Sequence, residues 1–306
     1  MKKQSVLLIS FFLASCNYNH ESLKIITPVG APALAFYTQV ENPNFQTNST
    51  PSNIVAMMNN SSEYDIVVID TVSGLKAIEN GAPFKIAATL THGNFFIAGT
   101  GNDDNKIMDK DDVIVLFGQN QTPDLLFKHI YGEGYNLEYV TNIQDASKCL
   151  ASGKNIISKS EVDYVFMAQP ALYSVLNNKE ALTYKKSYIY SDIQKEYYKK
   201  NDLDIVQASL FVNNNSDRLM VKSFLNELKN GLNDLIKTPE ILSDYLNFED
   251  EQISSIYGGN FNASINLIKD NNVLGLYYKD AKDNKDNIDE FIKLFGLNET
   301  NKETYF

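Results

Sequence analysis

Short apolar and β-branched runs alternate along the chain with longer stretches in which apolar positions recur every three or four residues. The runs Leu23 to Ile26, Ile66 to Ile69, Phe84 to Leu90, Phe95 to Gly99, Val113 to Phe117, Val162 to Met167 and Ile205 to Val212 predict strands. Helical patterns fall between them, so the class is α/β with largely parallel sheets.

One layout occurs twice. KIITPVGAPALAFY, Lys24 to Tyr37, and VIVLFGQNQTPDLLFKHI, Val113 to Ile130, each place a glycine-containing polar loop and a proline between a strand and a helix. In the second, Thr122 reads as the N-cap, Pro123 as the first helical residue, and Asp124 as a complement to the helix dipole. The following segments also correspond: SNIVAMMNNSSEYDIVVIDT ends a strand in Asp70-Thr71, and NIQDASKCLASGKNIISKSEVDYVFMAQP ends one in Ala168-Gln169-Pro170. Two lobes on one plan follow from this order. Open α/β sheets bind ligands beyond the carboxyl ends of their strands. With the lobes facing each other, Thr27, Gly30, Ala31, Asp70, Thr71, Gln119, Asn120, Thr122 and Gln169 would line one cleft.

After Val212 the pattern becomes helical. DRLMVKSFLNELKNGLNDLIKT is a long amphipathic stretch, Pro239 opens another, and PEILSDYLNF, FNASINLIKDNN and NIDEFIKLFG follow without a convincing strand. The chain is therefore expected to cross to a second lobe near Asn94 and return near Val212. This assigns residues 23–93 and 213–306 to one lobe and 94–212 to the other. His92 would sit at the crossing, as a hinge or cleft residue, and Asn260, after Gly258-Gly259, as a cleft residue or a cap. Asp70 reads equally as an N-cap. The charged run from Lys279 to Asp289 reads as a solvated linker or helix face.

The first residues add a location. Lys2 and Lys3 precede an apolar stretch, Val6 to Ala14, far shorter than the ~20 residues that span a bilayer. It ends in Leu13-Ala14-Ser15-Cys16, which resembles the lipobox of bacterial lipoproteins. Residues 1–15 are then a signal peptide, Cys16 the lipidated residue, and 16–22 a tether. Cys149, the other of two cysteines, lies in a helical pattern and reads as a small buried hydrophobe.

Composition excludes more than it selects. The chain carries 27 basic and 38 acidic side chains, a net charge of −11, which argues against a nucleic-acid partner. Arg218 is the only arginine, so a guanidinium clamp on an anion is nearly excluded. Three scattered histidines and no paired-cysteine spacing point away from a metal site, and the sequence lacks H-E-x-x-H, G-x-S-x-G and phosphate-loop motifs. A binding module without a cofactor fits better than an enzyme.

The lipobox, Gly30-Ala31-Pro32-Ala33, YDIVVIDT, FGQNQTPD and VDYVFMAQPA, in that order, resemble the type 2 periplasmic-binding-protein fold. Within it they look most like the sulfonate, nitrate and thiamine-precursor group of ABC-transporter solute-binding proteins. The resemblance implies a two-lobed clamshell with a ligand cleft between the lobes. It also implies a monomer that is extracytoplasmic, lipid-anchored at the cell membrane, and passes a small solute to an ABC permease. No basic residue stands in the cleft loops, unlike many sulfonate and nitrate binders, and the cysteine-rich motif of the fungal thiamine-pyrimidine synthases is missing. Asp70, His92, Asn120 and Gln169 offer mixed donors and acceptors suited to a neutral or heteroaromatic polar solute, such as a pyrimidine or another vitamin precursor. The alternative is a surface lipoprotein outside transport, an adhesion or scaffold module.

Overall fold

The apolar runs become two separate sheets. A computed structural model describes residues 20–60, 63–101, 106–177, 187–245, 251–257 and 261–306. The expected signal peptide, Cys16 and Asn260 lie outside the described residues. In chain order, β1 (Ile25–Pro28), α1 (Ala31–Leu34), β2 (Phe45–Asn48), α2 (Pro51–Asn60), β3 (Ile66–Asp70), α3 (Thr71–Glu79) and β4 (Phe84–Thr91) come first. Next are β5 (Phe95–Gly99), β6 (Val113–Phe117), α4 (Thr122–Tyr131), β7 (Asn136–Val140), α5 (Ile143–Ser152), β8 (Tyr164–Ala168), α6 (Ala171–Asn177), β9 (Tyr188–Asp192) and α7 (Ile193–Asn201). The chain then forms β10 (Ala208–Asn213), α8 (Arg218–Lys237), α9 (Ile241–Tyr245), α10 (Glu251–Tyr257), α11 (Phe261–Lys269), β11 (Leu276–Asp280) and α12 (Lys285–Lys293).

The first sheet has the order β2-β1-β3-β10-β4-β11 and the second β7-β6-β8-β5-β9. The two share a plan. In each, three strands pair in parallel with the earliest in the middle, and an antiparallel strand follows. That fourth strand is the one the chain makes on entering the sheet: β5 after crossing from β4, and β10 after crossing back. The duplicated plan read from the sequence is therefore present. The sheets are mixed, however, because β10, β11, β5 and β9 all pair antiparallel, contrary to the largely parallel expectation.

Three further expectations are corrected. The return was expected near Val212, but β10 pairs with β3 and β4 from Ala208 on, so the chain is already back in the first sheet at residue 208. The tail was expected without a strand, yet β11 pairs with β4; its LYYKD sequence has no clear alternation, and only the distant partner defines it. The charged run after Lys279 is not a solvated face throughout. Asn284, Asn287 and Asp289 are buried, and Asp289 accepts from the Thr300 N–H (2.9 Å) and hydroxyl (2.6 Å).

Strand alternation sends residues to two faces of each sheet. On one face of the first sheet, Ile25, Val68, Leu90 and Leu210 pack beneath α8, which buries Val221, Phe224, Leu225, Leu228, Leu232 and Leu235 at helical spacing. Asp217 caps α8 by accepting from the Leu219 and Met220 N–H groups. The opposite face, with Ile26, Val67, Ile69 and Phe211, belongs to an apolar layer that continues into the second sheet through Phe95, Ile97, Ile114 and Phe166. Tyr197 of α7 and Phe291 of α12 join the halves of that layer edge to face, with ring centroids 6.2 Å apart. Nearby, the Asn287 side-chain amide oxygen accepts from the Asp204 N–H (3.4 Å).

Phe291 is buried where both sheets contribute to one core. Phe291→Ala should cost about 3–5 kcal/mol and Phe291→Leu less than half as much, measured by denaturant unfolding. Losses below about 1 kcal/mol for alanine would show that the two halves do not depend on this contact.

Candidate functional site

The two crossing segments meet each other. Gln207, on the return, donates its N–H to the Thr91 carbonyl (3.0 Å) and accepts from the Thr71 N–H (3.0 Å). Its side-chain carbonyl accepts from the Asn94 N–H (3.2 Å). Asn94 in turn donates its side-chain amide to the Gln169 carbonyl (2.9 Å), and the Gln169 N–H donates back to the Asn94 carbonyl (2.9 Å). One chain of hydrogen bonds thus runs from the end of β3, through both crossings, to the end of β8. Strand ends from both sheets gather here, which is where open α/β folds keep their ligand sites.

Of the residues read from the sequence, Thr71, His92 and Gln169 lie in or beside this seam. The Thr71 hydroxyl shares a buried hydrogen bond with Ser209 (2.7 Å). His92, 5% exposed, donates its backbone N–H to the Gly275 carbonyl (2.8 Å) and stacks on Tyr277 with centroids 3.5 Å apart. Its Nε2 lies 3.1 Å from the Thr89 hydroxyl, which also accepts from the Asn284 amide (3.1 Å). Gly275 has φ +64°, and a Cβ there would lie 2.6 Å from the Gly93 carbonyl, so glycine is required for this close approach.

Burial lowers the His92 pKa well below its ordinary value. The Lys279 charge adds to this, while the Ile205 backbone opposes it. The imidazole is therefore neutral at pH 7. Around it, the buried atoms Thr91 Oγ1 and Asn94 Oδ1 have no hydrogen-bond partner among the described residues. An unpaired buried polar atom costs about 1–3 kcal/mol, and two of them lie within four residues here.

Other candidates have structural duties. Asp70 caps α3, accepting from the Ser73 N–H at 2.9 Å, and burial raises its pKa against the hydrogen bonds and Lys76, which lower it. The Gln169 side-chain carbonyl accepts from the Tyr173 N–H (3.0 Å), at the start of α6. Thr27 is buried, its hydroxyl 3.3 Å from the Pro28 carbonyl. Gly30 takes φ +109°, and apart from its own chain neighbours no described atom lies within 4 Å of where its Cβ would be. Ala31 is buried in α1, which is only a single turn. In the second loop Gln119 and Asn120 are exposed. Thr122 is the first residue of α4, with Gln121 at the cap, which shifts the expected N-cap by one. Buried Asp124 fixes this loop, accepting from the Asn120 N–H (2.8 Å), the Tyr139 hydroxyl (3.0 Å) and the Lys128 ammonium.

Asn94, Gln207 and Tyr277 were not singled out from the sequence. Gln207 left a signal there: a lone amide inside the apolar run Ile205 to Val212, where burial requires a partner. Among the described residues, no group of three or more His, Cys, Asp or Glu side chains is placed to hold a metal ion. No described helix is long and apolar enough to cross a membrane.

No family model and no curated protein matches the sequence. Solved structures do match the fold. An ABC transporter protein from Parabacteroides distasonis superposes with a TM-score of 0.68 at 17% identity, over 89% of this chain and 91% of that one. The zinc-bound ligand-binding component of an ABC-type import system from Staphylococcus aureus gives 0.65 at 14%, over 92% and 95%. The periplasmic aliphatic sulphonate-binding protein of Escherichia coli gives 0.60 at 11%, over 89% and 86%. The chain therefore has the two-lobed α/β fold of type 2 periplasmic binding proteins.

Two outcomes test the assignments. An imidazole with a depressed folded pKa loses stability as pH falls, because the unfolded chain takes up the proton first. Wild type should therefore lose stability from pH 7 to 5 more steeply than His92→Gln; equal slopes would contradict a buried neutral His92. At Asp70, alanine should cost about 1 kcal/mol and asparagine a few tenths, since both Asp and Asn cap. A carboxyl with a raised folded pKa loses its favourable contribution as pH rises through that value, so Asp70→Asn should gain on wild type between pH 4 and 7 in thermal melts.

Proposed function

We propose that the protein is the extracytoplasmic, lipid-anchored solute-binding component of an ABC importer. It captures a small polar solute between its lobes and delivers it to a membrane permease. The observation that carries this reading is the seam. The only two crossings between the sheets among the described residues are hydrogen-bonded to each other, and buried Thr91 Oγ1 and Asn94 Oδ1 beside them have no hydrogen-bond partner among the described residues. The fold shared with binding components of ABC importers supports the same role.

Residues 20–93 and 208–306 form one lobe and 94–207 the other, and the protein acts as a monomer. Lobe closure is the working step: a solute touching both lobes binds the closed state more tightly and shifts the equilibrium by that difference in affinity. Recognition falls to uncharged groups. The neutral His92, Thr91 and Asn94 offer donors and acceptors at the crossing, and the Gly30 and Gln119 to Thr122 loops close from either side. This chemistry favours a neutral or heteroaromatic polar solute, such as a pyrimidine or vitamin precursor, over a sulphonate or nitrate. No catalytic step is assigned.

Small molecules released by denaturing gently purified protein should include one such solute by mass spectrometry. Adding it back to stripped protein should raise the melting temperature and reduce the radius of gyration in solution scattering. Exclusive binding of sulphonates or nitrate would overturn the solute class. An unchanged radius at saturation would overturn closure and leave the scaffold alternative.

A further inference from the structure

The hydrogen bonds of the seam decide which way its side-chain amides face. The Gln207 side-chain carbonyl accepts from the Asn94 N–H (3.2 Å), and that of Gln169 accepts from the Tyr173 N–H (3.0 Å). A backbone N–H can only donate, so in both glutamines the oxygen is the pinned end and the NH2 group is the open one. Asn94 is pinned the opposite way. Its side-chain NH2 donates to the Gln169 backbone carbonyl (2.9 Å), which can only accept, and Oδ1 is left open.

Gln207 is half-buried and Gln169 is 6% exposed, and their NH2 groups have no hydrogen-bond partner among the described residues. The same holds for Asn94 Oδ1, which is buried. Asn94 stands between the two glutamines: its N–H holds Gln207, while its backbone carbonyl and side chain hold Gln169. Along this chain of bonds the open atoms run donor, acceptor, donor. Gln207 lies on the return crossing, Asn94 on the outward one, and Gln169 just beyond the end of β8, so the set belongs to the junction of both lobes.

We propose that Gln207, Asn94 and Gln169 determine the specificity of the cleft by reading an uncharged imide edge, a ring N–H between two carbonyls. The glutamine NH2 groups donate to the two carbonyl oxygens, and Asn94 Oδ1 accepts from the N–H. Because Oδ1 is buried, the edge reaches it as the lobes part and is enclosed when they close. An amine in place of either carbonyl sets donor against donor. Sites built on hydrogen bonds reject such analogues strongly, because buried groups are left unpaired. The inference rests on the solute-binding reading above and narrows its solute class.

The test titrates stripped protein by calorimetry with uracil, cytosine and 3-methyluracil. Uracil carries the imide edge. In cytosine an amine replaces one carbonyl and a bare nitrogen replaces the N–H, and in 3-methyluracil a methyl group blocks the N–H. Uracil should bind at least about tenfold more tightly than either. Gln207→Glu and Gln169→Glu each keep the pinned oxygen and exchange the NH2 for an oxygen. Each should weaken uracil binding at least about tenfold, with a melting temperature within about 3 °C of wild type. If a variant melts early, the ranking of the three probes on wild type still decides. Equal affinity for uracil and cytosine, or glutamate variants that bind uracil as wild type does, overturns the inference alone. So does a solute released from gently purified protein that lacks an imide, together with no binding of uracil. Protein that releases no small molecule and binds none of the three probes overturns the solute-binding reading and the inference with it.

Discussion

The structure turns on the pairing of its two crossings. A chain that leaves one sheet at Thr91 and returns at Ala208 must bring polar backbone through the interior twice, and buried backbone groups need partners. Each crossing supplies the other's. Gln207 serves Thr71, Thr91 and Asn94, and Asn94 passes the chain of bonds to Gln169. The lobes are therefore joined by a shared polar seam, where a linker would leave both crossings in water. The apolar contact of Tyr197 with Phe291 lies elsewhere in the junction, so its two parts resist separation differently. Apolar contact opposes any exposure, whereas directed hydrogen bonds oppose a change of angle.

That division bears on how such a body could respond to a solute. The seam holds groups with no hydrogen-bond partner among the described residues, at Thr91 and Asn94, beside others that are engaged, such as Asp70 and the Gln169 carbonyls. A molecule entering there would meet preorganised donors and acceptors whose geometry the fold already maintains.

Local pattern carried much of this into the sequence. Strands β5 and β6 are bounded as their apolar runs predict, α8 follows its amphipathic stripe and cap, and the duplicated strand-loop-helix plan survives as matching strand orders. What local pattern could not carry was partnership. LYYKD becomes β11 because β4 offers it an edge, and the acidic stretch after it turns inward because Thr89 and Thr300 can satisfy Asn284 and Asp289. The candidate site shows the same limit. Asp70 looked the same as a cap or as a ligand contact, and the structure shows the cap. Gln207 looked like a blemish in a strand until its three partners were known.

The insertion of β10 between β3 and β4 also orders events during synthesis. Residues 25–91 contain both neighbours of β10, but they hold open edges toward each other until residue 208 has emerged. The second sheet is drawn from one unbroken segment, β5 to β9, and is complete earlier. The part of the chain made first is thus the last to close. Between those moments it presents an open edge on each of two buried-type strands, Ile66–Asp70 and Phe84–Thr91, as a template for any other extended chain.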